Sequence, residues 1–99
     1  MLNITKTRDG KKLLVALEGR LDTNTAPELE DSLSNELDDI TELVIDLKDL
    51  EYISSAGLRV LLACQKKMMK QGKMTVCNPN DVITEIFEVT GFSEILDIK

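Results

Sequence analysis

Two short aliphatic runs, ELVIDL at residues 42–47 and KMTVC at 73–77, flank a stretch whose apolar residues recur at helical spacing. That succession of strand, helix and strand patterns leaves few folds open. A strand that returns through a helix pairs with its neighbour in parallel, and the crossover is right-handed in nearly all such units. The first run puts Leu43, Ile45 and Leu47 on one face and reads as an interior strand. The helix is expected over about 55–70, closed by Gly72 as a C-terminal cap.

The remaining patterns extend this unit in both directions. LNITKTRD and KKLLVALEG lie on either side of Asp9-Gly10, a dipeptide that favours tight hairpins because glycine tolerates positive φ, so these two runs should pair antiparallel. LDTNTAPELEDSLSNELDD places Leu29, Leu33 and Leu37 at i, i+4 and i+8 of an acidic helix. Thr25 and Glu28 have capping-box spacing there, and Pro27 suits a first turn. In NPNDVITEIFEVTG, Asn80 is a candidate cap, Val82, Ile83, Ile86 and Phe87 form one helical face, and Gly91 ends it. SEILDIK reads as a last short strand. The order is β-β-α-β-α-β-α-β over a single domain, residues 1–99. This is an α/β fold with a mixed, mostly parallel sheet and helices packed on it.

Composition removes most chemistries. Histidine is absent, which eliminates Ser-His-Asp and Cys-His arrangements and the commonest general base. No P-loop, no G-x-G-x-x-G and no Cys/His cluster is present, so neither a cofactor nor a metal is expected. Cys64 and Cys77 lack C-x-x-C spacing and fit buried free thiols. Eighteen acidic residues against twelve basic ones give a net charge of −6, which argues against nucleic acid and for a protein partner. The longest apolar runs are about five residues, far short of the roughly 20 that a spanning helix needs. The chain is expected to be cytoplasmic, without membrane insertion, and monomeric when free.

The junction DLEYISSAGLRVLL concentrates what is left. Ser54 and Ser55 stand where the strand pattern turns into the helix pattern. A helix N-terminus leaves backbone N–H groups unpaired, and a serine accepting from one stabilises the helix by about 0.5–2 kcal/mol. Capping needs only one of the two. The same donors and the positive end of the helix dipole also accommodate an anion, so a phosphoserine there need not unfold the domain. Cap and phosphorylation switch both remain open on these residues. In the helix that follows, Leu58, Val60, Leu61, Leu62, Cys64, Met68 and Met69 spread over about half the circumference, more than one sheet face needs. The edge of that arc, Val60, Cys64 and Met68, is either exposed for docking or covered by a neighbouring helix. Arg59, Lys66, Lys67 and Lys70 fill the opposite side.

These pieces resemble the STAS domain family, and within it the stand-alone bacterial anti-sigma factor antagonists. DLKDLEYISSAGLRVLL is similar to the family's strand, serine turn and helix. LEGRLDTNTAPEL looks like its glycine-x-leucine-aspartate turn, and MTVCNPNDVITEIFEVTGF like its third motif. The resemblance implies a regulator rather than an enzyme. The unmodified form would bind an anti-sigma factor that is a serine kinase and so free a sigma factor, phosphorylation would release it, and a metal-dependent serine phosphatase would restore it. Aligned on Gly57, the phosphorylated residue carries over to Ser55, with Ser54 as second choice. Asp22, Thr23 and Asn24 match the loop beside it and, with Ser54, Ser55, Ala56, Gly57, Arg59 and Val60, make the implied partner-binding surface.

The sequence departs from the family pattern in having Ser54 where aspartate is usual. Many members also continue into a final helix where this sequence stops at Lys99, so that side of the sheet is expected to be covered either by the domain itself or by a partner. A second reading with the same fold is a STAS subunit of a membrane lipid ABC transport complex, docking on its ATPase. Nucleophilic catalysis by Ser54 or Ser55 would need a lysine base, and the nearest, Lys48, precedes the turn.

Overall fold

The computed structural model describes residues 2–99. Strands β1 (Leu2–Asp9) and β2 (Lys12–Leu21) form the expected antiparallel hairpin, turning at Gly10, whose φ of 62° is open to glycine. Helix α1 (Ala26–Leu33), strand β3 (Glu42–Ile53), helix α2 (Ser55–Met69), strand β4 (Lys73–Cys77), helix α3 (Asp81–Thr90), the short helix α4 (Phe92–Ile95) and the two-residue strand β5 (Asp97–Ile98) follow. The sheet runs β1-β2-β3-β4-β5, parallel everywhere except β1-β2. The α/β architecture is therefore the one the sequence predicts, with one further helix, α4, in front of a shorter last strand.

Strand alternation divides the sheet into two faces. Leu13, Val15, Leu17, Leu43, Ile45, Leu47, Met74 and Val76 are buried, while Leu14, Ala16, Val44, Asp46, Thr75 and Cys77 between them are half-buried. The buried residues of α1, α2 and α3 join the first set in one contiguous core. Phe87 of α3 is its largest fully buried side chain, and truncation to alanine is expected to cost about 3–5 kcal/mol.

Several local expectations are corrected. β3 runs past Leu47 to Ile53, because two register shifts against β2 let β3 carry extra residues while Leu50 and Ile53 still reach the core. α1 ends at Leu33. Leu37 is buried from the turn that follows, where the Gln71 amide donates to the carbonyls of Leu37 and Ile40. Thr25 and Glu28 make no capping box. Gly72 is not a left-handed cap; α2 closes at Lys70, and Gly72 is required because a Cβ there would lie 1.8 Å from the carbonyl oxygen of Thr41.

The alternatives left open for α2 are decided, and on α3 one residue departs from the expected face. Val60, Cys64 and Met68 are buried, with α1 packed beside α2, so the covered alternative holds for that arc. On α3, Ile83 and Phe87 are buried and Ile86 half-buried, but Val82 is 53% exposed. Asn80 is the cap predicted, its Oδ1 accepting from the Ile83 N–H at 2.8 Å, and Gly91 ends the helix with φ 82°. Of the two free cysteines, Cys64 is buried and Cys77 half-buried.

Candidate functional site

Parallel strands β2 and β3 end at the same pole of the sheet, and α2 begins there. Two contacts fix the junction. The Ser54 N–H donates to the carbonyl oxygen of Leu21 at 2.8 Å, tying the start of α2 to the end of β2. Gly57, one turn into the helix, lies so close that a Cβ would come within 2.7 Å of the Leu21 side chain and 2.9 Å of that of Ile53. A glycine is what lets the helix end settle onto the strand ends.

The two serines have different tasks. Ser54 has extended backbone (φ −98°, ψ 176°) and is the N-cap: its Oγ accepts from the Gly57 N–H at 3.4 Å and its carbonyl from the Leu58 N–H at 2.9 Å. Ser55 is the first helical residue, exposed, and its hydroxyl makes no hydrogen bond among the described residues. It stands at the positive end of a 15-residue helix. Arg59, four residues on and exposed, is its helical neighbour.

The adjoining loop is held rigidly. The Asp22 carboxylate accepts from the Asn24 N–H at 3.0 Å and the Thr25 N–H at 3.1 Å, and the Ala26 N–H donates to the Asp22 carbonyl at 2.8 Å. Thr25 is a buried polar node. Its hydroxyl donates to the Arg20 carbonyl at 2.8 Å and accepts from the Asp22 N–H at 2.8 Å. These bonds, the Thr25 N–H above all, hold the Asp22 carboxyl below the ordinary carboxylate range. Thr23 and Asn24 are left exposed at the tip. Thr23, Ala56, Arg59 and Val60 line one shallow depression with Ala26, Pro27 and Glu30, so the loop and the serine turn share a surface.

Among the residues predicted for this surface, Thr23, Asn24, Ser55 and Arg59 are exposed, and Asp22, Ser54 and Ala56 half-buried. Gly57 and Val60 are buried and shape the surface from beneath. Two features escape the sequence reading. The role of Thr25 was hidden behind capping-box spacing, although Asp22-x-x-Thr25 carries the signal. Arg20 stacks over the Tyr52 ring at 4.8 Å to its centroid, a pair created by strand register that no local pattern announces. No group of three potential metal ligands occurs among the described residues, and no helix is long and apolar enough to cross a membrane.

A five-stranded mixed sheet with this serine turn and aspartate loop defines a STAS domain. Residues 3–99 match the STAS domain model, and the chain belongs to that family. It is 32% identical to the anti-sigma-B factor antagonist of Listeria monocytogenes, over 95% of this chain and 84% of the relative. Among solved structures it is similar to an anti-sigma factor antagonist from Mycobacterium paratuberculosis: 25% identity, TM-score 0.90, 99% of this chain and 85% of the other. The phosphorylated form of the Bacillus cell fate determinant SpoIIAA shares the fold, with a TM-score of 0.76 at 15% identity, over 98% of this chain and 91% of that one. The relatives are regulators and not enzymes.

Proposed function

We propose that this chain is an anti-sigma factor antagonist that works by phosphorylation-controlled partner switching. Unmodified, it binds an anti-sigma factor serine kinase in the cytoplasm and so frees a sigma factor. Phosphorylation of Ser55 releases it, a metal-dependent serine phosphatase restores it, and the free chain is a monomer. The observation that carries this reading is the split between the serines: Ser54 holds the cap, and the Ser55 hydroxyl is exposed and uncommitted beside the Asp22–Asn24 loop. A phosphate there adds nearly two negative charges to a chain of net charge −6. Driving a complex from mostly bound to mostly free takes a differential of about 5.5 kcal/mol. A dianion desolvated in an interface against like charge supplies energies of that order.

The test is a pull-down from the native cytosol with wild type and Ser55→Asp side by side, with and without ATP, the wild type then read by intact mass and fragmentation. The reading expects capture of a kinase by the wild type, loss with the aspartate, and one phosphoryl group on Ser55. Capture of the same ATPase by both forms, with no phosphate, would sink it.

A further inference from the structure

Among the described residues only four large apolar side chains are markedly exposed, and three of them, Val82, Val89 and Ile95, lie on α3 and α4. At about 100° per residue, Val82 and Val89 point within about 20° of each other, with Ile86 about 40° from Val82. The buried anchors Ile83 and Phe87 follow at about 100° and 140°. The apolar arc of α3 is thus wider than the sheet covers, and its edge forms an exposed ridge two turns long, with α4 packed at its end. Isolated exposed valines mean little; a ridge of them bordered on its solvent side by like charges is different.

The solvent-side border is acidic, with Glu85, Asp81 and Glu88 about 60–120° from Val82 on the side away from Ile83 and Phe87. Residues 81–97 carry five carboxylates and no lysine or arginine. Asp81, Glu85, Glu88 and Glu94 are exposed, and none forms an ion pair among the described residues. Like charge opposes pairing of this ridge with a second copy of itself, and equally opposes an anionic lipid surface. We infer that the α3–α4 ridge is a second docking surface, and that its occupant is an amphipathic helix of another protein whose apolar face is flanked by lysine or arginine. A helical ridge fits the groove between side-chain rows of a second helix, and basic flanks complement the glutamates. This surface shares no residue with the serine turn, although the Asn80 amide donates to the Leu50 and Glu51 carbonyls and so sets the start of α3 beside the end of β3. The ridge and its carboxylates carry the inference, not what Ser55 does.

The probe is a synthetic amphipathic peptide with a leucine face flanked by lysines, titrated into the isotope-labelled full chain and followed by amide chemical shifts. Shifts confined to residues 81–96 are expected, weakened about tenfold by Val89→Asp or by Glu85→Lys with Glu88→Lys. A peptide of the same composition with scrambled spacing should not bind. Should Val89→Asp fail to fold by circular dichroism, Val89→Ser replaces it. Shifts spread over every acidic surface, α1 included, or binding indifferent to position 89, would overturn the inference. So would ridge shifts that grow with protein concentration alone, which indicate a second copy, or pelleting with anionic vesicles, which indicates lipid.

Discussion

The N–H of Ser54 donates to the carbonyl oxygen of Leu21 at 2.8 Å, so the end of β2 and the first turn of α2 form one hydrogen-bonded unit. The Asp22–Asn24 loop leaves from the residue after Leu21, and Ser55 follows the residue that donates. Two segments more than thirty positions apart are thereby held as one surface, and substitutions on either side of this bond should separate stability from binding.

Ser54→Ala removes the acceptor for the Gly57 N–H. With that bond already long at 3.4 Å, the loss is expected near the low end of capping effects, about 0.5–1 kcal/mol. Ser55→Ala removes a hydroxyl without a partner and should stay within about 0.5 kcal/mol of wild type. Urea unfolding of the two variants decides this, and the reverse order would assign the cap to Ser55.

Glycine substitutions report on close approach. Gly57→Ala drives a methyl group against the γ-carbons of the fully buried Leu21 and Ile53 side chains and should cost about 1–3 kcal/mol. Gly72→Ala meets the Thr41 backbone, which cannot step aside, and should cost more. Chemical denaturation measures both; in Gly57→Ala, amide shifts at Asp22–Asn24 should move with those of Ser54–Ala56.

The acid limb of stability should depend on Asp22. A carboxyl whose folded pKa lies below its unfolded one, near 3.8, contributes stability above that value and loses it as pH falls through the folded pKa. Between neutral pH and about pH 3, the wild type should therefore lose more stability than Asp22→Asn. Parallel urea midpoints across that range would show no Asp22 contribution.

The thiols should differ in reactivity. Burial above all pushes Cys64 up to about 11, and Cys77, half-buried, is raised for the same reason in a more accessible place. Alkylation of the native chain at mildly alkaline pH should label Cys77 first and Cys64 only on unfolding, as read by peptide mass. Equal rates would contradict the packing of α1 on α2.

Where period and burial coincide, the fold was legible: the hairpin at Gly10, the Asn80 cap, and the strands carrying Leu43, Ile45, Leu47, Met74 and Val76. It was obscure where tertiary geometry broke the period. In β3 the core residues Leu47, Leu50 and Ile53 are three apart because of the bulges, a spacing that does not look like a strand. Leu37 keeps helical spacing with Leu33 yet is buried from a turn, since the Gln71 amide supplies bonds that a helix would have made internally. The breadth of the α2 arc was legible, but not that α1 covers it; that depends on packing between helices. The serine pair was visible at once, whereas its division of labour needed the backbone angles of Ser54.

That division has an evolutionary consequence. Because the neighbouring residue holds the helix end, the Ser55 hydroxyl makes no hydrogen bond within the fold, and exchange there for alanine, threonine or an acid should leave the scaffold intact. If Ser55 is the switch proposed above, a lineage could silence, retune or lock it in one mutational step while the domain persists, and its descendants would inherit the fold without the regulation.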